Sequence, residues 1–206
     1  MSPPDSCGEG SLRAKSLRIR GYALDNGAFT YHRKNQPFND RAFVRMVRRF
    51  GYNADWIVIP DVLFDARSTI DLAKKWIPII EKACPETPML FVWQDGMSIR
   101  DLAPFVSAGI GIFLGGSAAE KFKILRDVSG FCSRKNVWLH VGRVNSVKRV
   151  KACKAHGVCS FDGSGYTRFD RTLETVHRYL MKEQNQIRLF ESEGGFCNVK
   201  IEEWIR

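Results

Sequence analysis

The run Val158-Cys159-Ser160-Phe161-Asp162-Gly163-Ser164-Gly165-Tyr166 decides how the chain is read. A β-branched and aromatic segment ends in an aspartate and at once turns through glycines and a serine. A parallel strand ends in this way when it delivers a side chain into a pocket at its carboxyl end. Outward from it, Tyr22-Ala23-Leu24-Asp25-Asn26-Gly27, Ile57-Val58-Ile59-Pro60-Asp61 and Leu90-Phe91-Val92-Trp93-Gln94-Asp95-Gly96 end likewise. A single strand ending in a carboxylate means little. The repeated ending implies one site assembled from several strand ends.

Between these runs the apolar spacing changes to a helical period. A strand is expected to about Leu24, then a helix capped by Asn39, with Phe38, Ala42, Phe43, Met46, Val47 and Phe50 on one face and Gly51 as its stop. The continuously apolar Trp56–Pro60 reads as a strand buried on both faces. A helix from about Ser68 carries Ile70, Ala73, Trp76, Ile77 and Ile80, and Pro78 is expected to kink or break it. Strands follow at Met89–Trp93, Gly111–Leu114 and Val137–Val141, with a short helix capped by Ser98, a helix ending near Ser129-Gly130, and one capped by Ser146. After the strand that ends at Asp162, Asp170 caps a last helix. Strand-then-helix alternation gives an α/β fold of parallel strands with right-handed crossovers. An open doubly wound sheet and a TIM-type (β/α) barrel compete. Polar groups at nearly every strand end, rather than at one switch point, favour the barrel, reduced or irregular because only six units are clear. Segments 12–20, 187–190 and 199–201 are candidates for further strands. Residues 1–17 read as a flexible basic arm and 18–206 as a single barrel-like domain.

The 206-residue chain has room for one substantial core, and its 44% hydrophobic content with mixed charge is that of a soluble globular protein. No apolar run reaches membrane-spanning length and no signal-peptide pattern opens the chain, so a cytoplasmic protein is expected. Lys and Arg number 32 against 22 Asp and Glu, a net charge of +10. No acid occurs from Val128 to Phe161, where Arg134, Lys135, Arg143, Lys148, Arg149, Lys151 and Lys154 fall. A second basic cluster is Arg41, Arg45, Arg48 and Arg49, just after His32, Arg33 and Lys34. A solvated basic surface is one reading; a polyanion partner, nucleic acid above all, is the favoured one. Cys153, His156 and Cys159 invite a zinc reading, but the two cysteines fall on different elements and no second pair closes a tetrahedral site, so they read as buried thiols. No metal and no cofactor are expected.

Asp25 and Asp162, on separate strand ends, suit a nucleophile and a general acid/base, the pair that glycosyl transfer needs. The alternative is that both are turn-formers. Asp61 and Gln94 suit recognition of a guanine edge, a carboxylate accepting N1–H and the exocyclic amine while an amide donates to O6. Asp95 is a second polar contact or a turn residue. Gly115 and Gly116 could offer bare backbone to the same edge. Alternatively, Gly142-Arg143 and Gly115-Gly116-Ser117 could bind phosphate at helix amino termini. Tyr22, Phe29, Tyr31, Trp93 and Tyr166 lie near these ends and could stack a base. His140 and His156 have no evident acid partner and read as structural.

The ordered set resembles a known family. Leu24-Asp25-Asn26-Gly27-Ala28-Phe29 resembles the Asp-Ser-Gly-Gly-Phe motif of the tRNA-guanine transglycosylase superfamily. Asp61, Gln94-Asp95-Gly96, Gly115-Gly116, His140-Val141-Gly142 and Phe161-Asp162 occur in that family's order, over roughly residues 20 to 170. The phrases Ile57-Val58-Ile59-Pro60-Asp61, Gln94-Asp95-Gly96-Met97 and Gly142-Arg143-Val144-Asn145 look like its compact DNA-modifying branch, the 7-deazaguanine DNA transglycosylases of phages and genomic islands. The resemblance implies base exchange without strand cleavage. Asp162 would attack C1′ of deoxyguanosine, Asp25 would be the general acid/base, and a free 7-deazaguanine base would enter. Asp61, Gln94, Asp95, Gly115, Gly116 and Gly142 would hold the base, and Arg143, Lys148, Arg149 and Arg168 the phosphates. DNA is the favoured polymer, with tRNA or a catalytically inactive nucleic-acid-binding barrel as alternatives. The family's tRNA enzymes carry a three-cysteine, one-histidine zinc site after the nucleophile, where this chain has only Cys197 and His177. Asn26 stands where the family has serine.

Overall fold

The computed structural model describes residues 21–163 and 174–179. In chain order these form β1 (Ala23–Leu24), α1 (Ala28–Arg33), α2 (Asp40–Phe50), a 3-10 turn (Gly51–Asn53), β2 (Trp56–Val58), α3 (Ala66–Ala83), β3 (Met89–Trp93), α4 (Ile99–Leu102), β4 (Ile110–Leu114), α5 (Ala118–Lys135), β5 (Leu139–Val141), α6 (Val147–Ala155) and β6 (Ser160–Phe161). A helical segment, α7, covers 174–179. The six strands form one sheet in sequential order, every neighbouring pair parallel. The α/β class and parallel order follow the sequence reading, but the sheet is a curled half-barrel and not a full eight-stranded barrel among the described residues. The expected arm, the Asp170 cap and the candidate strands at 12–20, 187–190 and 199–201 lie outside the described residues.

The curl shows in side chains that meet across the concave face. In a flat sheet β2 and β5 would lie about 14 Å apart, three strand spacings. Yet the Trp56 ring on β2 and the Trp138 ring just before β5 have centroids 6.0 Å apart, and Trp56 lies 5.5 Å from His140. Strand alternation then sorts the residues. Ile57, Phe91, Trp93, Ile112, Leu114, Leu139 and Val141 face the helices and join the main core. Trp56, Val58, Leu90 and Val92, with Phe113 against them, line the concave side. Gly111 is also on that side, and a Cβ there would meet the Trp138 carbonyl oxygen at 2.4 Å, so the bare backbone lets β4 and β5 come together.

The helix caps are local chemistry. Asn39 accepts from the Ala42 N–H at 2.9 Å, Ser98 and Asp101 form a reciprocal capping box, and Ser146 accepts from the Arg149 N–H. Three details differ from expectation. Helix α3 begins at Ala66, two residues before the expected start near Ser68, with Asp65 as its cap. It also runs unbroken through Pro78, which faces solvent, where water can serve the carbonyl that loses its partner, while Ala73, Trp76 and Ile80 anchor the opposite face. Helix α5 passes through Gly130 and ends at Asn136, which takes the left-handed conformation (φ 52°) and sends its N–H back to Cys132 and Ser133. Gly51 ends α2 as expected, as its C-cap, but in a right-handed conformation (φ −64°) that passes into the 3-10 turn; a Cβ there would meet Cys84 Sγ at 2.5 Å, so close packing demands the glycine. No helix among the described residues is long and apolar enough to cross a membrane.

Candidate active site

The site is made by parity. Asp25, Gln94, Gly115, Gly142 and Asp162 are each the first residue after β1, β3, β4, β5 and β6, and each continues the concave alternation of its strand. Five parallel strands thus deliver their next inward position to one rim. Asp61 joins from three residues beyond β2.

Asp162 is the most constrained of the carboxylates. Oδ1 accepts the backbone N–H of Arg143 at 2.9 Å, and Oδ2 lies 3.1 Å from Nε2 of His140. Arg143 presents that N–H from a left-handed backbone (φ 58°), a conformation a bulky residue adopts only when its surroundings impose it. Its guanidinium reaches the Gly116 carbonyl at 2.5 Å and lies over the Phe29 ring at 5.4 Å, fixing the turn from both sides. Burial by itself would raise the Asp162 carboxyl. The His140 hydrogen bond, the Arg143 N–H and the nearby Lys121 outweigh it, so the group sits below the ordinary carboxylate range.

Asp25 goes the other way. It keeps an accessible edge but is ringed by protein, and that burial raises its carboxyl. The Gly27 and Asn26 N–H groups and His140 only partly offset it, and the negative charge of Asp162 raises it further. Two carboxylates within each other's field therefore have opposite protonation tendencies, the usual basis for assigning an acid and a nucleophile.

Asp61 is held by amides on both oxygens. Asn26 Nδ2 donates to Oδ1 at 2.6 Å and to the Ile59 carbonyl at 2.8 Å, while Gln94 Nε2 donates to Oδ2 at 2.5 Å. Burial still pushes the Asp61 carboxyl up to about 6, since Asp25 adds to it and the two amides only partly compensate. The other end of Gln94, Oε1, accepts the Phe64 N–H at 2.9 Å, in a residue whose φ is 61°. Buried Gln94 thus couples the position of Asp61 to a strained turn that leaves the Phe64 ring exposed at the rim.

Comparison of the chain with protein-family models, with curated proteins and with solved structures finds no match.

The remaining expected residues divide. Gly142 borders the site: its N–H donates to the Leu114 carbonyl, its own carbonyl is bound, and a Cβ would meet the Phe113 ring at 2.7 Å. Gly115 and Gly116 are demanded by packing as well, since a Cβ on Gly115 would come to 2.9 Å from the Trp93 carbonyl and one on Gly116 to 2.3 Å from Asp95 Oδ1. Asp95 takes the turn-residue alternative, with Oδ1 accepting the Ser117 N–H at 2.7 Å. Lys148 is exposed in the first turn of α6, whereas Arg149 turns back to the Arg143 carbonyl at 3.5 Å and lies over the Phe122 ring. Arg168 and Tyr166 lie outside the described residues. Cys153 is buried, its thiol pushed up to about 12 by burial, and Cys159 accepts the Leu139 N–H; no group of three metal-ligating side chains occurs among the described residues.

Two participants escaped the sequence reading. His140, expected to lack an acid partner, is paired with Asp162, because β5 and β6 align His140 with Ser160 and so place Asp162 two residues up the same face. Lys121 is 1% exposed and donates Nζ to the Gly142 carbonyl at 2.6 Å. Burial, with Arg143 adding to it, lowers its ammonium to about 8 despite the opposing charge of Asp162. A signal for it was present: Lys121 stands at helical spacing with buried Leu125, Val128 and Cys132, a charge on the apolar face of α5.

Proposed function

We propose that the chain is a base-exchange transglycosylase that replaces guanine in nucleic acid, DNA in preference to tRNA, with a 7-deazaguanine base. The reading takes the curled half-barrel as a reduced member of the barrel architecture that the sequence resemblance implies. The observation that carries it is the split pair: Asp162, held ionised between His140 and the Arg143 N–H, within the field of an Asp25 that burial favours in its neutral form.

In this reading Asp162 attacks C1′ of a flipped deoxyguanosine as the C1′–N9 bond breaks, and the bonding pair leaves with guanine. Neutral Asp25 gives its proton to the departing base and becomes the carboxylate. The glycosyl group is then an ester-like adduct on Asp162. A 7-deazaguanine gives its N9 proton to Asp25 and attacks C1′, and Asp162 leaves as a free carboxylate, so the enzyme returns to its starting state. Asp61, steadied by Asn26 and Gln94, accepts the N1–H and exocyclic amine of either base. A duplex target has to leave its stack to bring C1′ against Asp162 and the base edge against Asp61. The exposed Lys148, with Lys151 and Lys154 on the same helix, is suited to the phosphates beside the site. A metabolite phosphate at the start of α5 is disfavoured, since the Asp95 carboxylate already occupies the Ser117 N–H there.

The test is incorporation of labelled guanine into DNA and into tRNA by the purified protein. Exchange should occur, and Asp162→Asn should abolish it, by about 10⁴-fold or more, together with a denaturation-stable nucleic-acid adduct, while binding persists. Absence of exchange into both polymers removes the enzyme reading; binding unaffected by the substitution then leaves the inactive nucleic-acid-binding barrel.

A further inference from the structure

His140 is buried at 5% exposure, its ring held between Phe113 (centroids 4.7 Å) and Trp56 (5.5 Å). Neither aromatic ring offers the imidazole a conventional partner in the ring plane, so its two nitrogens depend on what lies at their edges. Nδ1 is 2.8 Å from Ser160 Oγ and Nε2 is 3.1 Å from Asp162 Oδ2. On the far side of the serine, the Trp138 indole N–H donates to the same Oγ at 2.9 Å.

The direction of each bond follows from what each group can do. An indole N–H only donates, so Ser160 Oγ is an acceptor toward Trp138. An ionised carboxylate only accepts, so the nitrogen facing Asp162 must carry a hydrogen. Neutral imidazole has a single N–H, which is then on Nε2, leaving Nδ1 as an acceptor. The serine hydroxyl hydrogen is free to fill it. All three bonds run one way, Trp138 to Ser160 to His140 to Asp162, and each group is used in a role it can take.

We propose that Trp138 and Ser160 form a hydrogen-bond relay that fixes the Nε2–H tautomer of His140, making His140 a positioning residue that orients Asp162 for attack. The opposite tautomer would set two hydrogens between Nδ1 and Ser160 unless the hydroxyl turned away, and would aim a bare lone pair at a carboxylate. With the relay in place, Asp162 is fixed at Oδ2 by a neutral donor and at Oδ1 by a backbone N–H. Its plane is defined, and the unused lone pairs remain for the incoming carbon. The same logic orients metal-bound histidines through their second nitrogen. The role of the relay in attack rests on the transglycosylase reading; the tautomer does not.

The two parts separate experimentally. Nitrogen-15 NMR of the full chain labelled at histidine reads the tautomer without any activity. The expected result for the neutral form of His140 is a protonated Nε2 and an unprotonated Nδ1, with the signature shifting toward a mixture in Ser160→Ala. A protonated Nδ1 or a mixture in the wild-type chain overturns the relay. For orientation, formation of the adduct is timed in His140→Gln, which keeps an N–H donor near the Nε2 position, and in His140→Leu, which keeps bulk alone. Leu should slow adduct formation by about 10- to 100-fold and Gln should recover most of that. Equal rates in the two variants overturn the positioning role. A wild-type chain that exchanges no base removes the transglycosylase reading, and the NMR result still decides the relay.

Discussion

At the scale of single residues, the site depends on charges whose balance the surrounding protein shifts. Asp61 illustrates the sign of the effect. Its carboxyl lies at about 6 in the fold against an ordinary 3.8, so between those pH values the native state holds a proton that the unfolded chain has already released. Raising the pH through that window removes the proton from the native state and lowers stability, on the order of 2 kcal/mol for this one group. Urea unfolding at pH 4 and pH 7 should show that decline in the wild-type chain and a shallower one in Asp61→Asn. Affinity for the free base should move oppositely and weaken below about pH 6, where protonation takes away an acceptor. Lys121 makes a different prediction. Lys121→Met removes a buried charge that lowers the Asp162 carboxyl, together with the donor to Gly142. The acid limb of the exchange reaction should move to higher pH, while stability changes by only about 1 kcal/mol because an apolar chain of similar volume recovers the cost of burying an ammonium.

At the scale of elements, the contrast between local and non-local information explains what the sequence revealed. The strand Met89–Trp93 was legible to the residue because all five positions are buried, and the Asn39, Ser98 and Ser146 caps because a cap is chemistry within three residues. Pro78 misled because its cost depends on which way it faces, and that is set by Trp76 and Ile80 packing on the opposite side of α3. Pro78→Ala should therefore stabilise the protein, by about 1–3 kcal/mol, visible as a raised thermal midpoint with unchanged far-ultraviolet helicity. A loss of stability would mean that the proline is packed and not merely tolerated. Gly130 misled in the same manner, since it was read as a helix end yet sits inside α5, whereas Gly51 does end α2 and also makes room for a cysteine from α3's end.

At the scale of the whole molecule, the sequence located the strand ends but not how they face one another. Asp25, Gln94 and Asp162 could be singled out from runs of a few residues. The union of His140 with Asp162, 22 residues on, needed the register of β5 on β6, and the field of Asp162 at Asp25 needed the curl that brings the two ends of the sheet together. Asn26 was noticed only as a departure from a motif, whereas its role as a brace between Ile59 and Asp61 is a property of β1 lying beside β2. The expected surface behaviour belongs to this scale too. On the proposed reading, DNA affinity should fall steeply as salt rises, because surface lysines and arginines that replace counterions on phosphates act through water.

Lys121 sets a boundary to that salt effect. Mobile ions cannot approach an ammonium at 1% exposure, so its pull on Asp162, whose side chain is 50% exposed, is screened from the carboxylate end alone and less than that of a surface pair. The buffer therefore acts fully on the surface charges and only in part on this one. On the proposed reading a salt series should separate them: KM for nucleic acid should climb more steeply with ionic strength than kcat falls, whereas Lys121→Met should move kcat.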